Sequence, residues 1–347
     1  MQSISPGGVP GNWNASPSPH IRSGATTRGL MRDVCVALTP ALACGVYFFG
    51  WQSLRVVIAC VVSSVASEYV YQKLAKRAVR VNDLSALVTG LLLACGLPPT
   101  APWWLCAMGG VTAIVLIKQI FGGLGQNFFN PALGARTILM ISWATFMTAS
   151  MAAQPGVMTG VDTVSIATPL AMKYADAAQA PFSIGRLFLG DVPGMMGETS
   201  KLALLIGLAY LLARRVITWH IPVSFIGTAL ILFAIKSGSI IDGGAAGSPT
   251  QSGLYQILSG GLFLGAIFMA TDYVTSPIHP WGKIVMGAGC GLILFVIRAY
   301  NPAYPEGCSF AILLMNLVTP LINRVFRPKM FGEQPAPAKP KEAKASA

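Results

Sequence analysis

Ten apolar runs decide what this chain can become. They lie at about 33–50, 54–72, 84–97, 103–121, 131–149, 200–213, 219–236, 256–270, 283–298 and 308–323. With 54% hydrophobic and 10% charged residues over 347 positions, too little polar surface exists to cover a soluble globule of this size. The chain reads as an all-α polytopic membrane protein. Several runs fall short of the ~20 residues that a straight span needs. Leu84 to Leu97, closed by Pro98-Pro99, is one of them. Short runs of this kind predict broken or half helices, which a bilayer tolerates only where protein or a cavity satisfies the freed backbone groups.

The formal charge of +12 does not mark a nucleic-acid partner, because the basic residues fall in short clusters between apolar runs, as topology signals do. Arg22, Arg28 and Arg32 precede the first run; Lys73, Lys76, Arg77 and Arg80 follow the second; Arg214 and Arg215 follow the sixth; Arg324, Arg327 and Lys329 follow the tenth. An even number of spans with both termini cytoplasmic puts all four clusters on one side. The polar segment 150–199 is then external.

Residues 1–29, rich in Pro, Gly, Ser and Asn, read as a flexible cytoplasmic arm without the apolar core of a signal peptide. Residues 331–347, with Pro335, Pro337 and Pro340 among Lys, Ala and Glu, read as a solvated cytoplasmic tail. Between them, 30–330 reads as one transmembrane domain. Its features repeat in order. Leu84-Ser85-Ala86, Pro102-Trp103 and Asn130-Pro131-Ala132 are followed later by Leu258-Ser259-Gly260, Pro280-Trp281 and Asn301-Pro302-Ala303. Two five-helix repeats, about 33–149 and 200–323, must lie inverted, since an odd number of crossings reverses the second; sites in such folds sit near the midplane.

The polar loop holds Asp162-Thr163-Val164-Ser165-Ile166-Ala167-Thr168-Pro169-Leu170. Read alone, Ser165 and Thr168 are turn or helix caps ahead of a proline. The pattern Asp-x-x-Ser-x-Ala-Thr also resembles the site at which a flavin transferase moves FMN from FAD onto a threonine hydroxyl as a phosphoester. The surrounding chain, over about 30–330, resembles the NqrB/RnfD family, which joins the D component of Rnf electron-transport complexes to the B component of the sodium-translocating NADH:quinone reductase. The resemblance rests on Leu84 through Trp104, Ile117 through Arg136, the 162–170 motif, Trp219 through Pro222, Ala270 through Thr275 and Tyr304 through Gly307. Ile166 departs from the glycine frequent in the motif. Ser23-Gly24-Ala25-Thr26 spells the end of the motif more literally, but His20 stands where Asp belongs, and that arm is cytoplasmic whereas the family's transferase works outside.

Lys173 and Arg186, in the same loop, are either partners for a phosphate group there or solvated cations. The resemblance implies a redox subunit carrying FMN on Thr168, with Asp162, Ser165 and Ala167 in the recognition motif. It further implies a non-covalent riboflavin in the bundle and a place among the other subunits of an Rnf complex in a prokaryotic cytoplasmic membrane. Electrons exchanged there between ferredoxin and NAD drive sodium or proton transport. A covalent anchor suits an external loop with little apolar wall, because it holds the flavin at fixed distance from the next carrier.

Asn127, Asn130 and Arg136 are further cofactor candidates: the glycines of 122–125 allow close backbone approach, Asn130 caps a helix opening at Pro131, and Arg136 inside an apolar run needs a partner. Among acids near membrane depth, Glu306 and Asp83, each just before an apolar run, are the pair expected to couple ions, with Asp272 behind them. The seven cysteines show no metal-ligand spacing and read as apolar filler; no metal site is expected. The rival reading is a solute channel or permease, aquaporin-like or of the urea or ammonium type, with two opposed Asn-Pro-Ala turns meeting at mid-membrane.

Overall fold

A computed structural model describes residues 26–149, 168–170, 182–241, 252–301 and 306–327. Asp162, Ser165, Ala167 and Lys173 lie outside the described residues, as do nearly all of the 1–29 arm and the whole 331–347 tail. Every described element is helical. The first helix, α1 (Thr27–Phe49), takes in the last three residues of the segment read as an arm, because Thr26 caps it: the Thr26 hydroxyl accepts from the Gly29 N–H at 3.2 Å. Gly50, at φ 75°, is the only residue between α1 and α2 (Trp51–Leu74) and turns the chain sharply where a side chain would be strained.

Each of the ten apolar runs is helical, and two are broken. α3 (Ser85–Cys95) and α4 (Trp103–Gln119, π-helical from Thr112) follow the third and fourth runs. α3 has 11 residues, about 16 Å of helix against a ~30 Å hydrocarbon core, so it is a half helix. The fifth run divides at Trp143 into α5 (Pro131–Ser142) and α6 (Ala144–Ala149). The short α7 (Ile184–Leu189) precedes α8 (Lys201–Ala213) and α9 (His220–Ser237). The eighth run breaks at Ser259–Gly261 between α10 (Gly253–Leu258) and α11 (Leu262–Leu264, continued as a π-helical turn over Gly265–Met269). The last two are α12 (Pro280–Tyr300) and α13 (Cys308–Val325). Helices α1, α2, α9, α12 and α13 are long and apolar enough to cross a bilayer.

Packing follows the repeat. Within the first unit α2 lies against α3 and α4, and within the second α9 lies against α10 and α12. Across the units, α1 packs on α8 and α5 on α13, first helix with first and fifth with fifth. The α9–α12 contact is close because small residues recur one turn apart. A Cβ on Gly287 would stand 2.8 Å from the Ile221 carbonyl oxygen, and one on Gly291 would stand 2.9 Å from that of Phe225, the close approach that small residues permit in membranes. Large side chains such as Trp51, Trp103, Ile235 and Val325 face outward, as a lipid-facing rim requires.

The second Asn-Pro-Ala turn does not mirror the first. Asn130 starts α5, whereas Asn301 is the C-terminal cap of α12. Among the described residues Asn301 therefore does not open a half helix as Asn130 does, and the paired turns of the aquaporin-like reading are not matched. Pro302 and Ala303 lie outside the described residues.

Candidate functional site

The Asn130 side chain sets the first part of the site. Its Oδ1 accepts from the N–H groups of Ala132 and Leu133 at 3.1 and 3.4 Å, with Pro131 at the first helical position, as the sequence led us to expect. Six residues on, about 9 Å of helix rise, α5 delivers Arg136 into the interior at 2% exposure. The partner that it needs is Glu306, both of whose carboxylate oxygens lie 2.7 Å from Arg136 Nη2. Glu198 is a second: its Oε1 stands 2.8 Å from Arg136 Nη1, outside the N–H direction, so the contact is ionic and that oxygen lacks a donor.

Glu198 comes from the polar segment that joins the two repeats, folded back into the protein. The Gly197 N–H donates to the Cys95 carbonyl at 2.9 Å, which pins the loop to the end of α3. Glu306 is held by its backbone, since Arg298 Nε donates to the Glu306 carbonyl at 3.0 Å. Burial pushes the Glu198 carboxyl up to about 8, with Arg136 opposing the rise and the neighbouring Glu306 carboxylate adding to it. Burial acts on Glu306 too, but the Arg136 guanidinium outweighs it and holds that carboxyl below its ordinary value. Two acids beside one cation are thus shifted in opposite directions.

Two more buried cations close the break in the eighth run. Arg298 Nη1 and Nη2 donate to the carbonyls of Gln256 and Ser259 at 2.5 and 3.2 Å. Lys201 Nζ donates to the carbonyls of Glu198, Thr199 and Gly260, the last two at 3.4 and 3.2 Å. The carbonyls left open where α10 stops are thereby satisfied, as a break at membrane depth requires. Glycine is needed at the break: a Cβ on Gly261 would collide with the carboxylates of both Glu198 and Glu306.

Thr168 stands on the other side of this cluster. It lines a cavity of about 240 Å³ whose walls include Met140, Leu170, Leu187, Val192 and Leu258 and whose polar end is formed by Glu198, Thr199, Lys201 and Glu306. The Thr199 hydroxyl is buried and has no hydrogen-bond partner among the described residues. Arg136 lies behind this wall rather than in it. Arg186 is paired with Asp191 at 2.9 Å on the surface. Thr26, in the decoy motif, is a helix cap.

The remaining expected residues gather at a second place, at the opposite end of the α5 segment between Asn130 and Arg136. A cavity of about 60 Å³ is lined by Ser85, Thr89, Lys118, Asn127, Asn130 and Asp272. Asn127 Nδ2 donates to the Phe129 carbonyl at 2.7 Å, and Asn130 Nδ2 to the Met269 carbonyl at the end of α11 at 3.2 Å. Burial raises the Asp272 carboxyl to about 6 against the hydrogen bonds it accepts from Val274, Thr275 and Tyr273. Lys118 Nζ bonds Glu68 Oε1 at 2.8 Å and Ser85 Oγ at 2.6 Å, both buried. Asp83 is a local cap, its Oδ1 accepting from the Ser85 N–H and hydroxyl at 2.8 and 2.6 Å. Asp83 and Glu306, expected as one coupling pair, therefore belong to separate sites.

Glu198, Lys201, Lys118 and Arg298 were not singled out from sequence. Lys118 and Arg298 carried a readable signal, a charge at the inner end of an apolar run. They also match across the repeat: Lys118 of α4 reaches Ser85 at the start of α3, and Arg298 of α12 reaches Ser259 just before α11.

The NQR2, RnfD, RnfE family model matches residues 14–332. The chain is 47% identical to the D component of the Na(+)-translocating ferredoxin:NAD(+) oxidoreductase complex of Acetobacterium woodii, over 92% of this chain and 96% of that protein. It is 40% identical to the D component of the proton-translocating ferredoxin:NAD(+) oxidoreductase complex of Clostridium ljungdahlii, with the same coverage. It is also 40% identical to the D component of the ion-translocating oxidoreductase complex of Stutzerimonas stutzeri, over 87% of this chain and 91% of that one.

Proposed function

The chain belongs to the NQR2, RnfD, RnfE family, and on that premise we propose that it is the electron-carrying D component of an Rnf-type ion-translocating ferredoxin:NAD oxidoreductase complex, with FMN held on Thr168. The observation that carries this reading is the place of Thr168, at an apolar cavity that ends in a buried charge cluster. The residues fit the group. Apolar walls suit a planar ring, and the unpartnered Thr199 hydroxyl offers a hydrogen bond to its polar edge. In maturation, Thr168 Oγ1 takes the FMN phosphoryl from FAD: the bond between the two phosphates breaks, a phosphoester forms, AMP leaves and the hydroxyl proton is released. A flavin transferase is the partner for that step.

FMN supplies one- and two-electron chemistry. The chain's own residues do the rest. Thr168 fixes the position of the carrier, Met140, Leu170 and Leu258 exclude water from it, and Arg136, Lys201 and Arg298 set the charge behind it. Glu306 is the acid next to that charge and is our first choice for ion coupling, with Asp272 and Asp83 at the other site. Relatives bear names for sodium and for proton translocation, so family membership leaves the ion to be measured.

Riboflavin, expected from the family, does not fit Asn127 and Asn130 as they stand. Both side-chain amides are engaged in the protein, and the cavity between them holds about 60 Å³.

The test is flavin fluorescence of this chain on a denaturing gel, with mass spectrometry of the peptide that holds Thr168. A fluorescent band with FMN mapped to Thr168 is expected. A dark band from cells that contain the transferase overturns the reading.

A further inference from the structure

Behind the cavity beside Thr168 lies a cluster of unbalanced charge, of which Lys201, Glu198 and Glu306 line the wall. Arg136, Lys201 and Arg298 bring three positive charges, and Glu198 and Glu306 bring at most two negative ones. Lys201 is fixed in an unusual way. The residue is 2% exposed, and its ammonium points at three backbone carbonyls, those of Glu198, Thr199 and Gly260. Carbonyls hold a cation in place without cancelling its charge, so the charge of protonated Lys201 acts over several ångströms in a medium of reduced dielectric. Arg136, by contrast, is paired with two carboxylates.

A second observation points at the same place. Thr199 is 2% exposed, its hydroxyl has no partner among the described residues, and it lines the cavity two residues before Lys201. A buried hydroxyl left without a partner is unfavourable. A ligand with a polar edge removes that cost.

We propose that Thr199 and Lys201 form the edge of the cavity that receives the polar rim of the flavin ring, Thr199 by a hydrogen bond and Lys201 by stabilising the negative charge that reduction places on that rim. Lys201 is a positioning residue of fixed charge, and its effect is to raise the potential of the carrier on Thr168. This inference rests on FMN being attached there. It adds where the ring lies and which side chains tune it. The break at Gly260 and Gly261 gains a purpose from it, because a continuous helix would satisfy its own carbonyls and take the Gly260 oxygen away from Lys201.

The test uses the whole purified complex. Redox titrations followed by visible absorption are run on the wild type and on Lys201→Met, Lys201→Arg and Thr199→Val, with the Thr168→Val complex subtracted to isolate the signal of this flavin. Covalent flavin is scored separately on a denaturing gel. Lys201→Met is expected to lower the ratio of reduced to oxidised flavin at fixed ambient potential about tenfold, about 30 mV for a two-electron couple. Lys201→Arg restores the wild-type curve. Thr199→Val shifts the visible absorption of the oxidised flavin. An unchanged titration for Lys201→Met, or an unchanged spectrum for Thr199→Val, with the gel band present, overturns the proposal while leaving FMN on Thr168 intact. If Lys201→Met does not assemble, the Thr199→Val spectrum decides alone. A wild type without a fluorescent band removes the FMN reading itself.

Discussion

Arg136 and Glu306, 170 positions apart in sequence, meet at 2.7 Å inside the protein, with Arg136 Nη2 equidistant from both carboxylate oxygens. The contact ties the fifth helix of the first repeat to the turn before the fifth helix of the second. It also fixes one side of the cavity at Thr168, since Glu306 is in that wall and Arg136 is behind it.

Removing that cation leaves two buried acids facing each other. Arg136→Leu is expected to destabilise the protein by about 3–5 kcal/mol, the usual cost of breaking a buried ion pair from one side. Arg136→Lys keeps the charge but not the forked geometry, and falls between. Thermal unfolding of the purified complex, with the yield of assembled complex as a second readout, checks both. A Leu variant as stable as the wild type would mean that Glu198 and Glu306 are neutral without Arg136.

Two threonines carry the end of the same motif, and the proposed function gives the flavin to Thr168 alone. Thr26 caps α1, so Thr26→Val should cost about 0.5–2 kcal/mol of stability and leave covalent flavin unchanged. Thr168→Val should abolish the fluorescent band and leave membrane insertion unaltered. Gel fluorescence of the two variants side by side separates the assignments, and a band retained in Thr168→Val but lost in Thr26→Val reverses them.

The main lines of the fold were legible, as was part of the buried cluster's chemistry, for reasons that differ by residue. The ten apolar runs give the ten helical stretches because burial in lipid is a property of local composition. Asn130-Pro131 gives a helix start because capping is local chemistry. Arg136 announced its need for a partner, yet nothing local names Glu306. Glu198 was out of reach altogether: it sits in a polar loop, and only the long-range bond from Gly197 to Cys95 brings it inside. Lys201, at the head of α8, has the place of an ordinary residue in a first helical turn, and its burial follows from the break in a helix fifty-nine positions later.

Asp272 provides a test by pH. Its carboxyl is raised from 3.8 to about 6 by burial. A raised value means that the folded protein holds the proton more tightly than the unfolded chain. The stability this contributes is complete below about pH 4 and is lost as pH rises through about 6. Asp272→Asn stays neutral throughout, so its melting temperature should gain on that of the wild type as pH climbs from about 5 to 8. Equal gaps at both ends of that range would show that burial does not act on Asp272 as described.

Glu306 separates ion coupling from flavin attachment. Glu306→Gln keeps the shape of the side chain and removes the negative charge, so Arg136 retains Glu198 as its acid and the cavity at Thr168 keeps its wall. Covalent flavin should therefore remain near the wild-type level, read on the denaturing gel. Ion uptake driven by ferredoxin oxidation in proteoliposomes should fall more steeply than electron transfer measured in the same vesicles. If both fall together, Glu306 serves the electron path through the charge it sets beside the flavin. If uptake is unchanged, the acid on the ion path is not Glu306, and Asp272, at the far end of the same short stretch of α5, is the next to be replaced.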